Sequence, residues 1–88
     1  MQKLYVVTIR QGLYSAQVIG ATTDASKIST IISDYADSIR AGLSKADADG
    51  LDYLVNSDWC YVSEAAIGSV RLGGIKSFSV EIAITNLY

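Results

Sequence analysis

The 88-residue sequence contains no histidine, no proline and a single cysteine, Cys60. Without histidine the chain has no imidazole to act as a general base beside a serine or cysteine, or to bind a metal. One cysteine excludes an intramolecular disulfide framework and a thiolate zinc site. Because no cation lies next to Cys60 in the sequence, we interpret it as a buried structural residue. We therefore expect no catalytic residue, no cofactor and no metal site, and we predict that the protein is not an enzyme.

Charged residues and long hydrophobic runs are also scarce. Only 18% of the residues are charged, half are hydrophobic and the formal net charge is −2, a composition that excludes a disordered chain. No hydrophobic run approaches the roughly 20 residues of a membrane span. The apolar run of residues 4–9 is interrupted by Arg10 too early for a secretory signal. We expect a cytoplasmic protein with no membrane contact, folded as one domain over residues 1–88.

The first part of the chain has the composition of a β-hairpin. Residues 4–10 are rich in β-branched and aromatic side chains, and residues 13–21 follow after a turn at Gln11-Gly12. In this second strand we expect one face to carry Tyr14, Ala16 and Val18.

The hydrophobic period then changes from two to about 3.6 residues. Thr22, Thr23 and Asp24 are typical of a helix start, and the pattern predicts an amphipathic helix over residues 24–42. Its apolar stripe consists of Ile28, Ile31, Ile32, Tyr35, Ile39 and Leu43. Residues 44–58 favour a second, shorter helix, because Ser44 followed by Asp47 matches a helix cap. The apolar side of this helix would carry Leu51, Leu54 and Val55.

The remaining chain is predicted to be mainly strand. Residues 59–62 predict a third strand, and residues 63–72 either extend it or form one or two helical turns. Gly73-Gly74 indicates a break, after which residues 75–87 alternate as a half-buried strand that is long enough to offer an edge to a partner. The fold class is α+β: a small antiparallel sheet of about four strands, in the order β-β-α-(α)-β-β, with one main amphipathic helix packed on one face.

Two segments resemble ligand-binding motifs but lack essential residues. Residues 47–50 match the centre of a calcium loop, yet Lys45 and Asn56 occupy positions where that loop needs carboxylates. We interpret the segment as an acidic turn. Residues 68–77 resemble a phosphate loop, but the lysine is too far from the second glycine and a strand follows instead of a helix. We interpret this segment as a hairpin turn.

Negative charge is concentrated in the middle of the chain. Residues 24–58 carry seven Asp against three cations, a net charge of −4, whereas residues 1–23 carry +2 and residues 59–88 are neutral. This distribution argues against direct nucleic-acid binding, which needs a basic surface, and it suits a partner protein with a basic surface. The candidate partner-binding residues are Asp34, Asp37, Asp47, Asp49, Asp52 and Tyr53.

Tyrosines are common anchors of protein interfaces. We expect Tyr53 and Tyr88 to be exposed, and Tyr5, Tyr14 and Tyr61 to be buried in strands.

The sequence thus predicts a small non-enzymatic module that binds another protein. Such a chain suits a phage or mobile-element inhibitor that covers a basic, nucleic-acid-binding surface of a host defence complex of the CRISPR type, and this role is our hypothesis. The alternative is a self-assembling structural subunit, a homo-oligomer that pairs through the edge of the strand at residues 75–87 or through the helix face. A third class is an enzyme or ligand-binding module with a closed pocket of Asp or Tyr side chains.

Overall fold

The computed structural model describes residues 2–12, 15–75 and 78–87, and for Cys60 and residues 72–75 it describes the backbone alone. The predictions for Tyr14, Tyr88 and the Cys60 side chain therefore lie outside the described residues. The main elements are β1 (Gln2–Gln11), β2 (Gln17–Thr22), α1 (Ile28–Ile39), α2 (Lys45–Val55), β3 (Gly68–Ile75) and β4 (Phe78–Leu87). Short 3-10 turns lie at Ala25–Lys27, Arg40–Gly42 and Cys60–Glu64.

The four strands form one antiparallel sheet in the order β2-β1-β4-β3. β1 and β4 pair along their whole length, from Gln2 opposite Leu87 to Gln11 opposite Phe78. Helix α1 lies over β1 and β2, and α2 lies over β3 and β4. The predicted α+β class is confirmed. The prediction that the last strand offers an edge is wrong, because β4 is hydrogen-bonded to a strand on each side.

The core lies between the two helices and one face of the sheet. β1 and β4 alternate between buried and partly exposed residues, as expected for strands with one covered face. Burying a large apolar side chain contributes roughly 1.5–3 kcal/mol. The buried core residues are Tyr5, Val7, Ile9, Ile28, Ile32, Ala36, Leu51, Leu54, Trp59, Val62, Phe78, Val80, Ile82 and Ile84.

Both predicted helices are present. The main helix consists of a 3-10 turn, α1 and a second 3-10 turn. At its start, the carboxylate of Asp24 accepts a hydrogen bond from the backbone N–H of Ser26 at 3.0 Å. α2 begins at its predicted cap, because Ser44 Oγ accepts a hydrogen bond from the N–H of Asp47 at 3.2 Å. Residues 47–50 lie within α2, so their interpretation as an acidic turn is wrong.

The strand predicted at residues 59–62 is a 3-10 turn, Cys60–Glu64. Trp59 and Val62 are both buried, and their spacing of three residues is the period of this helix type. The indole N–H of Trp59 donates to the carbonyl oxygen of Leu54 at 3.0 Å, which ties the turn to α2. Tyr61, predicted to be buried, is 48% exposed because it lies on the opposite side of the turn.

Irregular pairing explains the differences at the two edge strands. Val7 is opposite Gly20 and Thr8 is opposite Val18, so Ile19 is an extra residue in β2, as in a β-bulge. Val18 is consequently 63% exposed, and Ala16, predicted to share its face in this strand, precedes the first residue of β2. In β3 the pairing shifts between Leu72 and Ile75. The strand runs through Gly73-Gly74, so the break predicted there is wrong. β3 and β4 are antiparallel neighbours, and residues 76–77, where the hairpin turn predicted within residues 68–77 would fall, lie outside the described residues.

Candidate protein-binding surface

A turn between the two helices brings their acidic sides together. Arg40 lies in the 3-10 turn that follows α1. Its Nη2 is 2.8 Å from Oδ1 of Asp52 in α2 and 3.8 Å from Oδ1 of Asp37 in α1. All three side chains remain accessible to solvent, and Asp37 is 70% exposed. Arg40 therefore sits between carboxylates of both helices, so their acidic sides form one surface.

Further acidic residues extend this surface by one helical turn in each direction. Asp34 precedes Asp37 by three residues and Asp49 precedes Asp52 by three, and this spacing places each pair on the same side of its helix. Asp34 and Asp49 are both exposed. Tyr53, four residues after Asp49, is 48% exposed, as predicted. We refer to these residues together as the acidic helix surface: Asp34, Asp37, Arg40, Asp49, Asp52 and Tyr53.

Asp47 occupies a different position from the other predicted site residues. It lies in the first turn of α2 and is partly buried. Gly50, Leu51 and Leu54 follow it at spacings of three, four and seven residues, and all three are buried. Asp47 therefore belongs to the side of α2 that faces the core, where a carboxylate in the first turn favours the helix through its dipole. The structure separates it from Asp49 and Asp52.

A shallow groove runs beside the acidic helix surface. It is lined by three hydroxyl groups and one carboxylate of α1 and by one apolar side chain of α2. The lining residues are Ser29, Thr30, Ser33, Asp34 and Val55. Small hydroxyl side chains leave room for a long side chain of a partner, and Asp34 would supply the charge that attracts a lysine or arginine.

A carboxylate with a lowered pKa lies away from this surface, at the start of the main helix. The side-chain hydroxyl and the backbone N–H of Ser26 both donate to Asp24, and these hydrogen bonds hold the pKa of Asp24 below its usual value. Because the hydrogen bonds favour the ionised form, Asp24 serves the helix start. Asp24 is not part of the acidic helix surface.

The four carboxylates of this surface were among the residues predicted from the sequence, whereas Arg40 was not. The spacing from Asp37 to Arg40 is a signal that the sequence does contain. The contact between Arg40 and Asp52 has no such signal, because it depends on how the chain turns between the helices.

The carboxylates of the acidic helix surface do not form a metal-binding cluster. Within the described part of the chain, no group of three or more Asp, Glu or Cys side chains is close enough together to hold a metal ion. No helix in residues 2–12, 15–75 and 78–87 has the length and hydropathy needed to cross a membrane. Comparison of the chain with protein-family models, with curated proteins and with solved structures finds no match.

Proposed function

We propose that the protein is a non-enzymatic module that binds a basic surface of another protein through its acidic helix surface. One observation carries this proposal: Arg40 joins Asp37 of α1 to Asp52 of α2, so the acidic residues of two helices form one continuous patch. Four carboxylates against Arg40 leave the patch with a net charge of −3. Such a patch steers a positively charged partner toward the helices and fixes its orientation.

Tyr53 gives this surface an aromatic anchor beside its charges. An exposed tyrosine offers a large rigid contact area with little loss of side-chain entropy on binding, and tyrosine is enriched among the residues that dominate binding energy. Its ring can also stack with an arginine or lysine of the partner. We expect Tyr53→Ala to weaken binding more than the removal of any one exposed carboxylate does.

The test compares two variants that remove the same charge. Asp34→Asn with Asp49→Asn removes two carboxylates of the surface while it leaves the ion pairs of Arg40 intact. The control, Asp58→Asn with Glu64→Gln, removes two carboxylates from elsewhere in the chain. Both tagged proteins and the wild type are used to capture partners from a cell lysate at low and high salt, with quantitative mass spectrometry as the readout.

We expect the wild type and the control to retain the same partner at low salt and to release it at high salt, because screening weakens exposed charge pairs. The surface variant should bind that partner about three- to tenfold more weakly, since each exposed pair contributes at most about 1 kcal/mol. Equal retention by the surface variant would contradict the proposal.

Within this class we propose a narrower role, that of a phage or mobile-element inhibitor which covers the nucleic-acid-binding surface of a host defence complex of the CRISPR type. The support is that a compact acidic patch can compete with phosphate groups for the same arginines and lysines. Expression of the protein in cells that carry such a system should restore plaque formation by a targeted phage. The Asp34→Asn, Asp49→Asn variant should restore less, and equal plating with and without the protein would contradict this role.

The second candidate is a self-assembling subunit, and the open side of the sheet favours it. Val18 and Leu87 are exposed there, and the unpaired edges belong to β2 and β3. Assembly through an edge would therefore use one of these two strands, since β4 is central. Light scattering over a wide range of protein concentration decides between the candidates, because a strict monomer excludes the assembling subunit.

A further inference from the structure

The face of the sheet away from the helices carries a row of polar side chains across three strands. Side chains alternate between the two faces of a strand, so the residues between the buried ones of β1 and β4 point away from the core. Thr8 of β1 lies opposite Glu81 of β4, and Arg10 lies opposite Ser79. Arg71 of β3 lies opposite Glu81 from the other side. Register alone therefore brings two arginines, two hydroxyls and one carboxylate together.

These side chains line a hollow of about 150 Å³. Ala16, in the loop between β1 and β2, also lines it. The hollow is more enclosed than the groove beside the acidic helix surface. A water molecule occupies about 30 Å³ of liquid, so the hollow has room for a carboxylate with a short carbon chain.

The two arginines of the hollow differ in their partners. Arg71 Nη2 donates to Oε2 of Glu81 at 2.5 Å. Arg10 is exposed and has no carboxylate within ion-pair distance among the described residues. One guanidinium is thus neutralised and the other is available, which leaves these three side chains with a net charge of +1.

We propose that this hollow is a carboxylate-binding site centred on Arg10. A planar guanidinium binds a carboxylate through two parallel hydrogen bonds, and the hydroxyls of Thr8 and Ser79 can donate to the same anion. A carboxylate group brings one negative charge into the hollow, and the second carboxylate of a dicarboxylic acid can stay in solvent at the other end of its carbon chain, whereas a phosphate dianion would bring both of its negative charges close to Glu81. The site lies on the sheet, opposite the helices, and it does not depend on the function proposed for the acidic helix surface.

The experiment is a titration of the uniformly ¹⁵N-labelled protein with glutarate, followed by backbone and arginine Nε–Hε chemical shifts at constant ionic strength. Glutarate is added to about 50 mM, because a small exposed site is expected to bind no more tightly than the millimolar range. We expect saturable shifts at Thr8, Arg10 and Ser79. The same titration with sodium chloride should give only small shifts without saturation. An absence of saturable shifts at these residues would overturn the proposal.

A matched pair of variants tests the central residue. Arg10→Gln and Lys27→Gln each remove one positive charge, and Lys27 is an exposed residue of the helix layer. We expect Arg10→Gln to weaken glutarate binding about three- to fivefold, because exposed charge pairs are weak, and Lys27→Gln to leave it within about twofold. Equal binding by both variants would overturn the assignment to Arg10. The melting curve of each variant, read from Trp59 fluorescence, verifies that it is folded.

The Glu81→Gln variant should change the affinity for glutarate in the opposite direction. It frees the guanidinium of Arg71 and raises the net charge of the site by one, so glutarate should bind about threefold to tenfold more tightly. A variant that only disturbs the fold would not gain affinity. Weaker binding by Glu81→Gln would overturn the idea that Glu81 competes with the ligand for Arg71.

A second ligand identifies where the carboxylate comes from, and a third tests the specificity of the site. A tetraglutamate peptide with blocked ends represents a carboxylate on a protein, and glutarate represents a free small acid. Tighter binding of the peptide supports the site and assigns it to an acidic polypeptide, while tighter binding of glutarate supports the site and assigns it to a small acid. Inorganic phosphate is the third ligand, and binding equal to or tighter than that of glutarate would overturn the carboxylate specificity.

Discussion

Gly20 of β2 lies close against Ile31 of α1. A Cβ atom placed on Gly20 would lie 2.7 Å from Cγ2 of Ile31, far inside normal van der Waals contact. Cγ2 is attached directly to the Cβ of Ile31, so it cannot swing away as the end of a long side chain can. The sequence contains no sign of this requirement, because it arises only when the helix is packed on β2.

We therefore predict that Gly20→Ala lowers the free energy of unfolding by about 1–3 kcal/mol, the usual cost of overpacking. Chemical denaturation followed by Trp59 fluorescence measures it. Gly42→Ala is the control, because a Cβ at Gly42 meets nothing within 4 Å and should change stability by less than about 1 kcal/mol. The variant Gly20→Ala with Ile31→Ala should lose less stability than the sum of the two single variants. Strict additivity would contradict the proposed clash.

Asp24 couples the start of the main helix to pH. The hydrogen bonds from Ser26 lower its pKa in the folded protein below the usual value of 3.8, so the unfolded chain takes up this proton first as the pH falls. Its contribution to stability is complete above that usual value and is lost as the pH falls through the lower, folded pKa.

We predict that the wild type loses more stability on acidification below pH 3.8 than Asp24→Asn does, because the amide cannot ionise but can still accept hydrogen bonds. Urea unfolding at a series of pH values measures the difference. Ser26→Ala removes the hydroxyl donor and should move the pKa of Asp24 part of the way back, as a carboxylate NMR titration would record. An unchanged pKa in Ser26→Ala would show that the hydroxyl is not the cause.

The elements with a long hydrophobic period could be predicted from the sequence, and the short ones could not. α1, α2 and β4 each repeat their pattern over at least ten residues, and Ser44 marked the start of α2. The four residues from Trp59 to Val62 are too few to distinguish a strand from a helical turn. The bulge at Ile19 was also beyond prediction, because an extra residue in β2 has meaning only against the pairing with β1.

The cap of α2 is a sequence prediction that the structure confirms, and its energetic weight can be measured. We expect Ser44→Ala to lower the free energy of unfolding by about 1 kcal/mol, because it leaves the N–H of Asp47 without its side-chain acceptor. Ser38→Ala is the matched control: its hydroxyl donates to the carbonyl of Tyr35 within the helix, and its loss should cost less than about 0.5 kcal/mol. Equal losses in the two variants would contradict the capping role.

For the molecule as a whole, the class of fold was predictable but the order of strands was not. Counting strands and helices leads to an antiparallel sheet with a helix layer, whereas the position of β4 depends on which strand pairs with β1. The two proposed sites likewise combine features that the sequence predicts with features that it does not. The excess of Asp in the middle of the chain was visible in the sequence, but the contact of Arg40 with Asp52, and the meeting of Arg10 and Arg71 on the open face, depend on tertiary structure.

The strand order makes a prediction about hydrogen exchange. Backbone amides of β1 and β4 that donate within the central pair should exchange slowest, because they open only with the whole fold. Amides of β2 and β3 should exchange faster, since each of these strands is held by one neighbour. Exchange measured residue by residue by NMR will determine the ranking. Protection of β2 equal to that of β1 would contradict the edge position of β2.

The pairing of Gln2 with Leu87 places the first residue of β1 beside the last residue of β4. A force applied to both ends of the chain would load the backbone hydrogen bonds between these strands one pair after another, as a zipper opens, and not all at once. The strands that thermal motion opens last would then be the first to separate under tension. A fold that is most stable at its centre would therefore yield at low force when it is pulled by its ends.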